Sequence, residues 1–376
     1  MNRIGVFIVD DSAVIRRLLS EILSGDPALE VVGNAADGRA ALSRISLVHP
    51  DIVILDVDMP EMDGLQALAA LRQQNAALPV VMFSSLTERG AAATLDALSL
   101  GASDYVAKPS GAGSAEAAAA RVRAELIPKI KALCPRGSVA ERGVVPAAEF
   151  SAMALHAAPA PEPRVDIVAI AVSTGGPNAL EKILPELPAE LPVPIVIAQH
   201  MPKVFTKLLA ERLASKSAIA VAEAADGDVL RPGSAWIAPG DFHLALERQP
   251  SRVLLRTHQD EPENSCRPSA DVLFRSVADV FGRNALALVM TGMGQDGLRG
   301  CERIQEVGGR VVVQDQMTSI VWGMPGGVAR AGLADKILPL EKLAREIVAR
   351  VRIGRDQPAE QHDTQLNSVG DSCRKS

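Results

Sequence analysis

Short apolar runs and helical patterns alternate along the first third of the chain. Each run ends in a polar or turn residue, and the runs are Ile4–Val9, Val31–Val32, Ile52–Leu55, Val80–Phe83 and Tyr105–Ala107. Between them, apolar residues recur at spacings of three and four, as in Ala13–Leu23 and Leu65–Gln73. Strands that alternate with helices at this spacing predict a doubly wound α/β domain with a parallel sheet.

The same pattern returns in the second half of the chain. Its apolar runs are Ile167–Val172, Val193–Ala198, Ala285–Met290 and Arg310–Val313. A β-hairpin is predicted near Trp236–Leu255. We therefore expect a second doubly wound, mainly parallel-sheet α/β domain that carries a β-hairpin.

The region between the two patterns has a different composition. In residues 135–163, Ala, Pro and Gly supply 15 of 29 positions, and closely spaced prolines favour extended chain over helix. A helix is predicted just before this region, over Ser114–Cys134. The expected division is a first domain over residues 1–125, a helix end and linker over 126–163, a second domain over 164–352, and a polar, disordered tail over 353–376.

Composition narrows the classes of function. The 376 residues are 48% hydrophobic but only 3% aromatic, with a net charge of −6. Few aromatic residues and an acidic balance disfavour binding to nucleic acid. No apolar stretch approaches the roughly 20 residues that span a bilayer, and the start of the chain lacks the apolar core of a signal peptide. Four scattered cysteines without a CxxC pair are typical of reduced thiols, so we expect a cytoplasmic protein without membrane insertion.

Charged side chains follow several strands of the first predicted sheet. Asp10 and Asp11 follow the first strand, Asp56 the third and Lys108 the last, and Ser84 adds a hydroxyl at the end of the fourth. Ligands of open parallel sheets bind at the carboxyl ends of the strands. Three carboxylates that converge there repel one another unless a hard cation lies between them, and Mg²⁺ suits such a site. A lysine opposite them can pair with a carboxylate or bind a phosphoryl oxygen.

These residues lie in motifs that resemble those of response-regulator receiver domains. The motifs in residues 1–125 are VDDS, LDVDMPEMDG, FSS and YVAKP. The resemblance implies a flavodoxin-like fold in which Asp56 accepts a phosphoryl group. It implies that Mg²⁺ is bound by the side chains of Asp10, Asp11 and Asp56 and by the backbone carbonyl of Asp58. It also implies phosphoryl contacts and an aromatic switch, formed by Ser84, Lys108 and Tyr105.

A candidate nucleophile follows the first strand of the second domain. Ser173 begins the segment Ser-Thr-Gly-Gly-Pro, which leads into a helical pattern. A serine at a tight strand-to-helix turn is exposed at the top of the sheet, near helix N–H groups. The same segment could instead cap the helix. His200 and Asp296 also follow predicted strands, so the three side chains can converge for acyl transfer, with His200 as the base and Asp296 holding the imidazole.

The segment TGMGQDG allows a different interpretation. Gly292, Gly294 and Gly297 fit the GxGxxG pattern of dinucleotide-binding proteins, and Asp315 follows the next strand where a ribose-binding acid is expected. This unit comes late in its domain rather than first, and a dinucleotide site would leave Ser173 and His200 without a role.

A second resemblance favours the hydrolase. Residues 164–352 resemble the catalytic domain of the chemotaxis protein-glutamate methylesterases through VSTGGP, QHMP, WIAPGDFHL, CRPSADVLF, LVMTGMGQDG and GMPGGVARAG. It implies a Rossmann-like serine hydrolase with Ser173, His200 and Asp296 as the catalytic residues. The backbone N–H of Met293 is implied in the oxyanion hole, and Thr174 in the active-site neighbourhood.

Other parts of these motifs receive structural roles. The segments Arg267–Asp271 and Met324–Gly327 are expected to shape the cleft. Cys266 is expected to be a small buried side chain rather than a second nucleophile, since no activating neighbour is implied.

Together the resemblances imply a phosphorylation-activated enzyme of sensory adaptation in chemotaxis. Its implied substrates are γ-glutamyl methyl esters on methyl-accepting chemotaxis receptors, from which it releases methanol, and receptor glutamines, which it deamidates. A chemotaxis histidine kinase is the implied phosphodonor. Mg²⁺ is expected for phosphorylation and no cofactor for ester hydrolysis. A dinucleotide oxidoreductase and a non-catalytic phospho-switch are the alternative hypotheses.

Overall fold

The computed structural model describes residues 3–109, 114–135 and 164–355. Most of the predicted linker (136–163) and most of the predicted tail (356–376) lie outside the described residues. Among the residues described, no helix is long and apolar enough to cross a membrane. Because most of the linker and of the tail lie outside the described residues, the domain boundaries stay predictions.

Five strands and five helices form the first half of the structure. The strands are β1 (Ile4–Val9), β2 (Leu29–Ala35), β3 (Ile52–Asp56), β4 (Val80–Ser84) and β5 (Asp104–Ala107). The helices are α1 (Ala13–Ser24), α2 (Gly38–Val48), α3 (Gly64–Gln74), α4 (Glu88–Ser99) and α5 (Ala115–Leu133). All strand pairs are parallel, in the order β2-β1-β3-β4-β5. β1, β3 and β4 are buried along their whole length because helices cover both faces of the sheet.

The second half contains a larger parallel sheet and a hairpin. Its strands are β6 (Ile167–Val172), β7 (Ile195–Gln199), β8 (Ala220–Glu223), β9 (Ser234–Ile237), β10 (His243–Gln249), β11 (Arg252–His258), β12 (Ala285–Val289), β13 (Arg310–Gln314) and β14 (Lys336–Leu338). Its helices are α6 (Gly176–Ile183), α7 (Lys203–Lys216), α8 (Ala270–Phe281), α9 (Leu298–Glu306), α10 (Met324–Arg330) and α11 (Leu340–Arg352). The parallel order is β14-β13-β12-β6-β7-β9-β8, and β10 and β11 form the antiparallel hairpin.

The predicted fold class, two doubly wound parallel sheets with a hairpin, is confirmed. The hairpin begins later than expected, because Trp236 belongs to β9 of the main sheet and Pro239-Gly240 ends that run before His243. The edge strands β8 and β14 were not predicted. They have four and three residues and are partly exposed, so they produce no apolar run.

The apolar cores of the two halves are continuous. One cluster of buried side chains contains residues from both sheets. Where the halves meet, the ring of Tyr105 stacks on that of Phe205, with 4.4 Å between the centroids and 18° between the planes. Helix α4 packs against α6 and α7 at the same place. The two α/β units therefore form one packed body in this structure.

Candidate active site

The carboxyl ends of β6, β7 and β12 meet at the centre of the second sheet. Strand β6 lies between β7, the next strand of the chain, and β12, which follows much later. The strand order reverses at β6, so the crevice at its carboxyl end is a topological switch point. The register of β6 and β7 pairs Val172 with Gln199, so the next residues, Ser173 and His200, leave the sheet side by side. On the other flank, the Ser173 N–H donates to the carbonyl of Thr291 at 3.0 Å.

The turn that carries Ser173 depends on two glycines. Gly175 has a φ of +79°, a conformation that favours glycine, and is the N-cap of α6. A Cβ at Gly292 would lie 2.9 Å from the Cβ of Ser173 and 2.4 Å from the sulfur of Met324, so only glycine permits this approach. Ser173 is half-buried, and its hydroxyl forms no hydrogen bond within the described part of the chain. The turn therefore presents an uncommitted hydroxyl to the crevice.

His200 and Asp296 are in direct contact. The Nε2 of His200 lies 2.8 Å from Oδ2 of Asp296. Because the carboxylate accepts the Nε2 proton, the neutral imidazole carries its lone pair on Nδ1. The side chains are 13% and 2% exposed, so water screens the pair weakly. This arrangement can take up a proton at Nδ1.

The N-terminus of α8 anchors the carboxylate of Asp296. It accepts hydrogen bonds from the hydroxyl of Ser269 at 2.7 Å, the N–H of Ala270 at 2.6 Å and the side-chain amide of Asn264 at 2.9 Å. Burial by itself raises the pKa of Asp296, but the hydrogen bond from His200 and these donors lower that pKa to about 2. Burial alone lowers the pKa of His200, but the hydrogen bonds and charges of Asp296 and Cys266 together outweigh it and raise that pKa.

The sequence analysis missed Asn264, and although it expected Arg267–Asp271 to shape the cleft, it did not predict the role of Ser269 in this anchor. Ser269 is the N-cap of α8 and accepts from the N–H of Asp271, so the serine before an apolar helical pattern was a usable signal. Asn264 gave no such signal. It reaches Asp296 because it lies in a turn with a φ of +54°, which the sequence alone does not reveal.

Cys266 lies beside the imidazole of His200. Its Sγ is 3.7 Å from Nδ1, and the residue is half-buried rather than fully buried. The turn through Asn264 and Ser265, both with positive φ, pairs Glu263 with Cys266 and brings the thiol to the crevice. The expectation of no activating neighbour was therefore wrong, because this neighbour arises from tertiary structure.

Two backbone donors lie at the same crevice. The N–H groups of Thr174 and Met293 have no hydrogen-bond partner among the residues that the structure describes. Thr174 directly follows Ser173, and Met293 follows Gly292, which contacts Ser173. Donors placed next to a nucleophile can stabilise an oxyanion.

The first sheet has an acidic pocket at its carboxyl edge. The ammonium of Lys108 lies 2.9 Å from Oδ2 of Asp10 and 2.7 Å from Oδ2 of Asp56. Carboxylate oxygens of Asp10, Asp11 and Asp56 lie within 4.8 Å of one another, and such oxygens fit Mg²⁺. Burial raises the pKa of Asp56 to about 6 despite the hydrogen bond from Lys108, and the charge of Asp10 adds to the rise.

Of three other predicted residues, only Asp58 forms a hydrogen bond with Asp56 within the described part of the chain. Ser84 is buried at the end of β4 and donates its hydroxyl to the carbonyl of Gly90 at 3.0 Å. Asp58 has an exposed side chain, and its N–H donates to Oδ1 of Asp56 at 3.3 Å. Tyr105 is buried against Phe205 of the other half.

The first half of the chain contacts the residue next to the candidate nucleophile. The hydroxyl of Thr174 donates to Oδ2 of Asp104 at 2.7 Å, and Lys129 lies 3.3 Å from the same oxygen. The side-chain amide of Asn178 donates to the carbonyl of Leu98 at 2.8 Å. The site and the first domain are therefore joined by buried hydrogen bonds.

A charged network adds to this contact. Arg212 of α7 donates to Asp96 and Ser99 of α4 and to Glu181 of α6. Lys216 also pairs with Glu181, at 2.7 Å. Arg212 thus bridges the two halves of the chain.

The glycine-rich loop is not organised to bind a dinucleotide. Gly294 and Gly297 have φ values of +94° and +93°, and Gly297 is the N-cap of α9. A pyrophosphate would need the N–H groups at that helix start, but the carboxylate of Asp271 already accepts from the Gly300 N–H at 2.6 Å. Asp315 accepts from the N–H and hydroxyl of Thr318. This geometry does not favour the dinucleotide alternative.

The fold and the site define a receiver-type α/β domain joined to an α/β domain with the features of a serine hydrolase. Family models agree with this division. The model described as response regulator receiver domain matches residues 6–120, and the model described as CheB methylesterase matches residues 168–347.

Full-length relatives identify the family. A protein-glutamate methylesterase/protein-glutamine glutaminase of Trichodesmium erythraeum is 52% identical over 93% of this chain and 100% of its own length. A protein with the same name from a Nocardioides species is 48% identical over 96% of this chain and 98% of its own. The crystal structure of the Thermotoga maritima CheB methylesterase catalytic domain is 41% identical, covering 50% of this chain and 99% of that one, with a TM-score of 0.49. The chain belongs to the family of protein-glutamate methylesterases/protein-glutamine glutaminases.

Proposed function

We propose that this chain is a phosphorylation-activated hydrolase that demethylates γ-glutamyl methyl esters on chemotaxis receptors and deamidates receptor glutamines. Family membership supports the reaction type. The observation that carries the assignment to particular residues is the His200–Asp296 pair, 2.8 Å apart, together with the β6–β7 register that places Ser173 and His200 after paired strand ends. All three follow strands that end at one crevice.

The proposed reaction is acyl transfer through Ser173. Nδ1 of His200 accepts the hydroxyl proton as Oγ attacks the ester carbonyl, and Asp296 stabilises the imidazolium that forms. The N–H groups of Thr174 and Met293 donate to the developing oxyanion. The C–O bond to methanol breaks as His200 returns the proton to the leaving oxygen. Water then hydrolyses the acyl-serine by the same steps and leaves a glutamate.

Deamidation uses the same residues on a glutamine amide. Ser173 attacks the amide carbonyl, His200 protonates the leaving nitrogen, and ammonia departs in place of methanol. The product after hydrolysis is again a glutamate. One crevice therefore supports both activities.

Regulation is proposed to begin at Asp56. Mg²⁺, held by Asp10, Asp11, Asp56 and the backbone carbonyl of Asp58, would neutralise charge during phosphoryl transfer from a chemotaxis histidine kinase. The phosphoryl group adds about −1.5 to −2 charge. Lys108 is already within 2.7 Å of Asp56, whereas Ser84 must give up its bond to Gly90 to reach the new group.

The contact between the domains is the proposed route to the hydrolase. Movement of Ser84 changes the end of β4, next to β5 and its residues Asp104 and Tyr105. Those residues hold Thr174 and Phe205 in the resting state. Releasing them frees the turn that carries Ser173 and opens the crevice to a receptor helix. We propose residues 1–125 as the regulatory domain and 164–352 as the catalytic domain, acting on receptors in the cytoplasm.

Single-turnover methanol release from methylated receptor membranes tests the proposal. The wild-type chain should release methanol, and a small-molecule phosphodonor should raise the rate. Ser173→Ala should abolish release in both conditions, whereas Ser46→Ala, an exposed serine on α2, should not. Equal release by Ser173→Ala and wild type would refute the assignment of the nucleophile. Phosphorylation of Asp56 without any methanol release would favour a non-catalytic phospho-switch.

A further inference from the structure

The thiol of Cys266 and the imidazole of His200 are spaced like two ligands of one metal ion. Sγ and Nδ1 are 3.7 Å apart. In a tetrahedral zinc site, Zn–S and Zn–N bonds of about 2.3 and 2.05 Å place sulfur and nitrogen about 3.6 Å apart. The two side chains therefore already have the separation that Zn²⁺ requires.

The surroundings of His200 are those of a zinc-binding histidine. Metal-bound imidazoles usually donate the other ring N–H to a carboxylate, which fixes the ring and its tautomer. Here Nε2 lies 2.8 Å from Asp296, which leaves the Nδ1 lone pair directed towards Cys266. Both oxygens of Asp296 are already engaged by Ser269 and Ala270, so this carboxylate orients the histidine rather than binding the ion.

The donor set also distinguishes this cluster from the acidic pocket. Among the described residues, two groups of His, Cys, Asp and Glu bring their ligand atoms within 4.8 Å: His200, Cys266 and Asp296, and Asp10, Asp11 and Asp56. The second offers only oxygen and suits Mg²⁺, whereas sulfur and nitrogen together suit Zn²⁺. His200 and Cys266 both keep some exposure to solvent.

We propose that Cys266 and His200 form a binding site for Zn²⁺ that inhibits the enzyme. The Cys266 thiol loses its proton to the buffer as the Zn–S bond forms, any proton on Nδ1 of His200 passes to the buffer as the Zn–N bond forms, and water completes the coordination. The ion occupies the nitrogen that must accept the proton of Ser173, so bound zinc and catalysis exclude each other. The inhibition, although not the binding, rests on the function proposed above.

Cobalt tests the binding on the full-length chain without any assay of activity. Co²⁺ added to the wild type should produce a thiolate-to-cobalt charge-transfer band, and Zn²⁺ should displace it. Cys266→Ser should lose the band. Cys134→Ser, which removes a half-buried thiol directly after α5, should keep it. Zinc should also protect Cys266 of the wild-type protein from alkylation, as located by mass spectrometry, which requires no variant.

A zinc titration of methanol release tests the inhibition. The rate of each protein is normalised to its own zinc-free rate. The free zinc concentration that halves this rate should be about tenfold or more higher for Cys266→Ser than for the wild type. A chelator should restore the rate of the zinc-inhibited wild type. Absence of the cobalt band and of zinc protection in the wild type would overturn the proposal, as would equal zinc sensitivity of both proteins. If the wild-type chain shows the cobalt band but never releases methanol, the proposed function is refuted and the proposed metal site is still supported.

Discussion

Arg212 offers a direct test of how the two domains restrain each other. Its guanidinium joins α7 to Asp96 and Ser99 of α4, and Arg212→Gln keeps most of the stem while removing the charge. Asp96 is 56% exposed, so its ion pair contributes about 0.2–1 kcal/mol. The bond to Ser99 adds about 0.5–1.5 kcal/mol. The closed arrangement should lose about 1–2 kcal/mol, which is about a 5–30-fold change in the ratio of closed to open chains.

Methanol release by the unphosphorylated chain measures this ratio. If the closed arrangement predominates at rest, Arg212→Gln should raise the basal rate about 5–30-fold and the phosphorylated rate much less. The basal rate of the wild type should also rise with ionic strength, and that of the variant should respond less.

Arg256→Gln is the matched control. Arg256 pairs with Glu247 and Asp226 inside the second domain and does not contribute to the contact between domains. A basal rate for Arg212→Gln that equals the Arg256→Gln rate would show that this network does not hold the domains together.

Three further predictions concern the two sites. Asp296→Asn should lower kcat by about 10³–10⁴-fold. Because the Asp296 carboxylate raises the pKa of His200, the same variant should move to lower pH the limb of the pH–rate profile on which His200 loses its proton. A limb at the wild-type pH would contradict the pairing of His200 with Asp296. Gly292→Ala should cost about 1–3 kcal/mol in a denaturant melt, since the new Cβ would overlap the Cβ of Ser173, whereas Gly327→Ala meets no atom within 4 Å and should melt like the wild type. The pKa of Asp56 is raised to about 6, so the ionisation of this buried carboxyl destabilises the folded state as pH rises through that value. Asp56→Asn should therefore stabilise the first domain at pH 7 by up to about 3 kcal/mol. A stabilisation that persists below pH ~4, where the carboxyl is protonated in both states, would refute this cause.

Most of the fold could be predicted from the sequence because the central strands are buried on both faces. Strands such as β1, β3 and β6 consist almost wholly of apolar residues, and this pattern needs no knowledge of the rest of the chain. The edge strands β8 and β14 lack it, since one side of each faces solvent. Position at a strand end likewise pointed to Ser173 and His200.

The remaining parts of the site depend on contacts between distant segments. Cys266 reaches His200 only because Asn264 and Ser265 both adopt left-handed backbone conformations, which are uncommon for residues other than glycine. The bond between Thr174 and Asp104 joins residues 70 positions apart, and nothing near either residue predicts it. Pattern analysis finds side chains that act from the ends of regular elements, and it misses those that arrive through a turn or a domain contact.

The continuous core between the domains gives this protein a temperature dependence of its own. The proposed opening would separate Tyr105 from Phe205 and expose apolar surface that is covered in this structure. Hydration of such surface carries a positive heat capacity, and apolar association weakens on cooling. Under the proposed regulation, cooling weakens the contact between the domains, so resting methylesterase activity should fall less on cooling than stimulated activity.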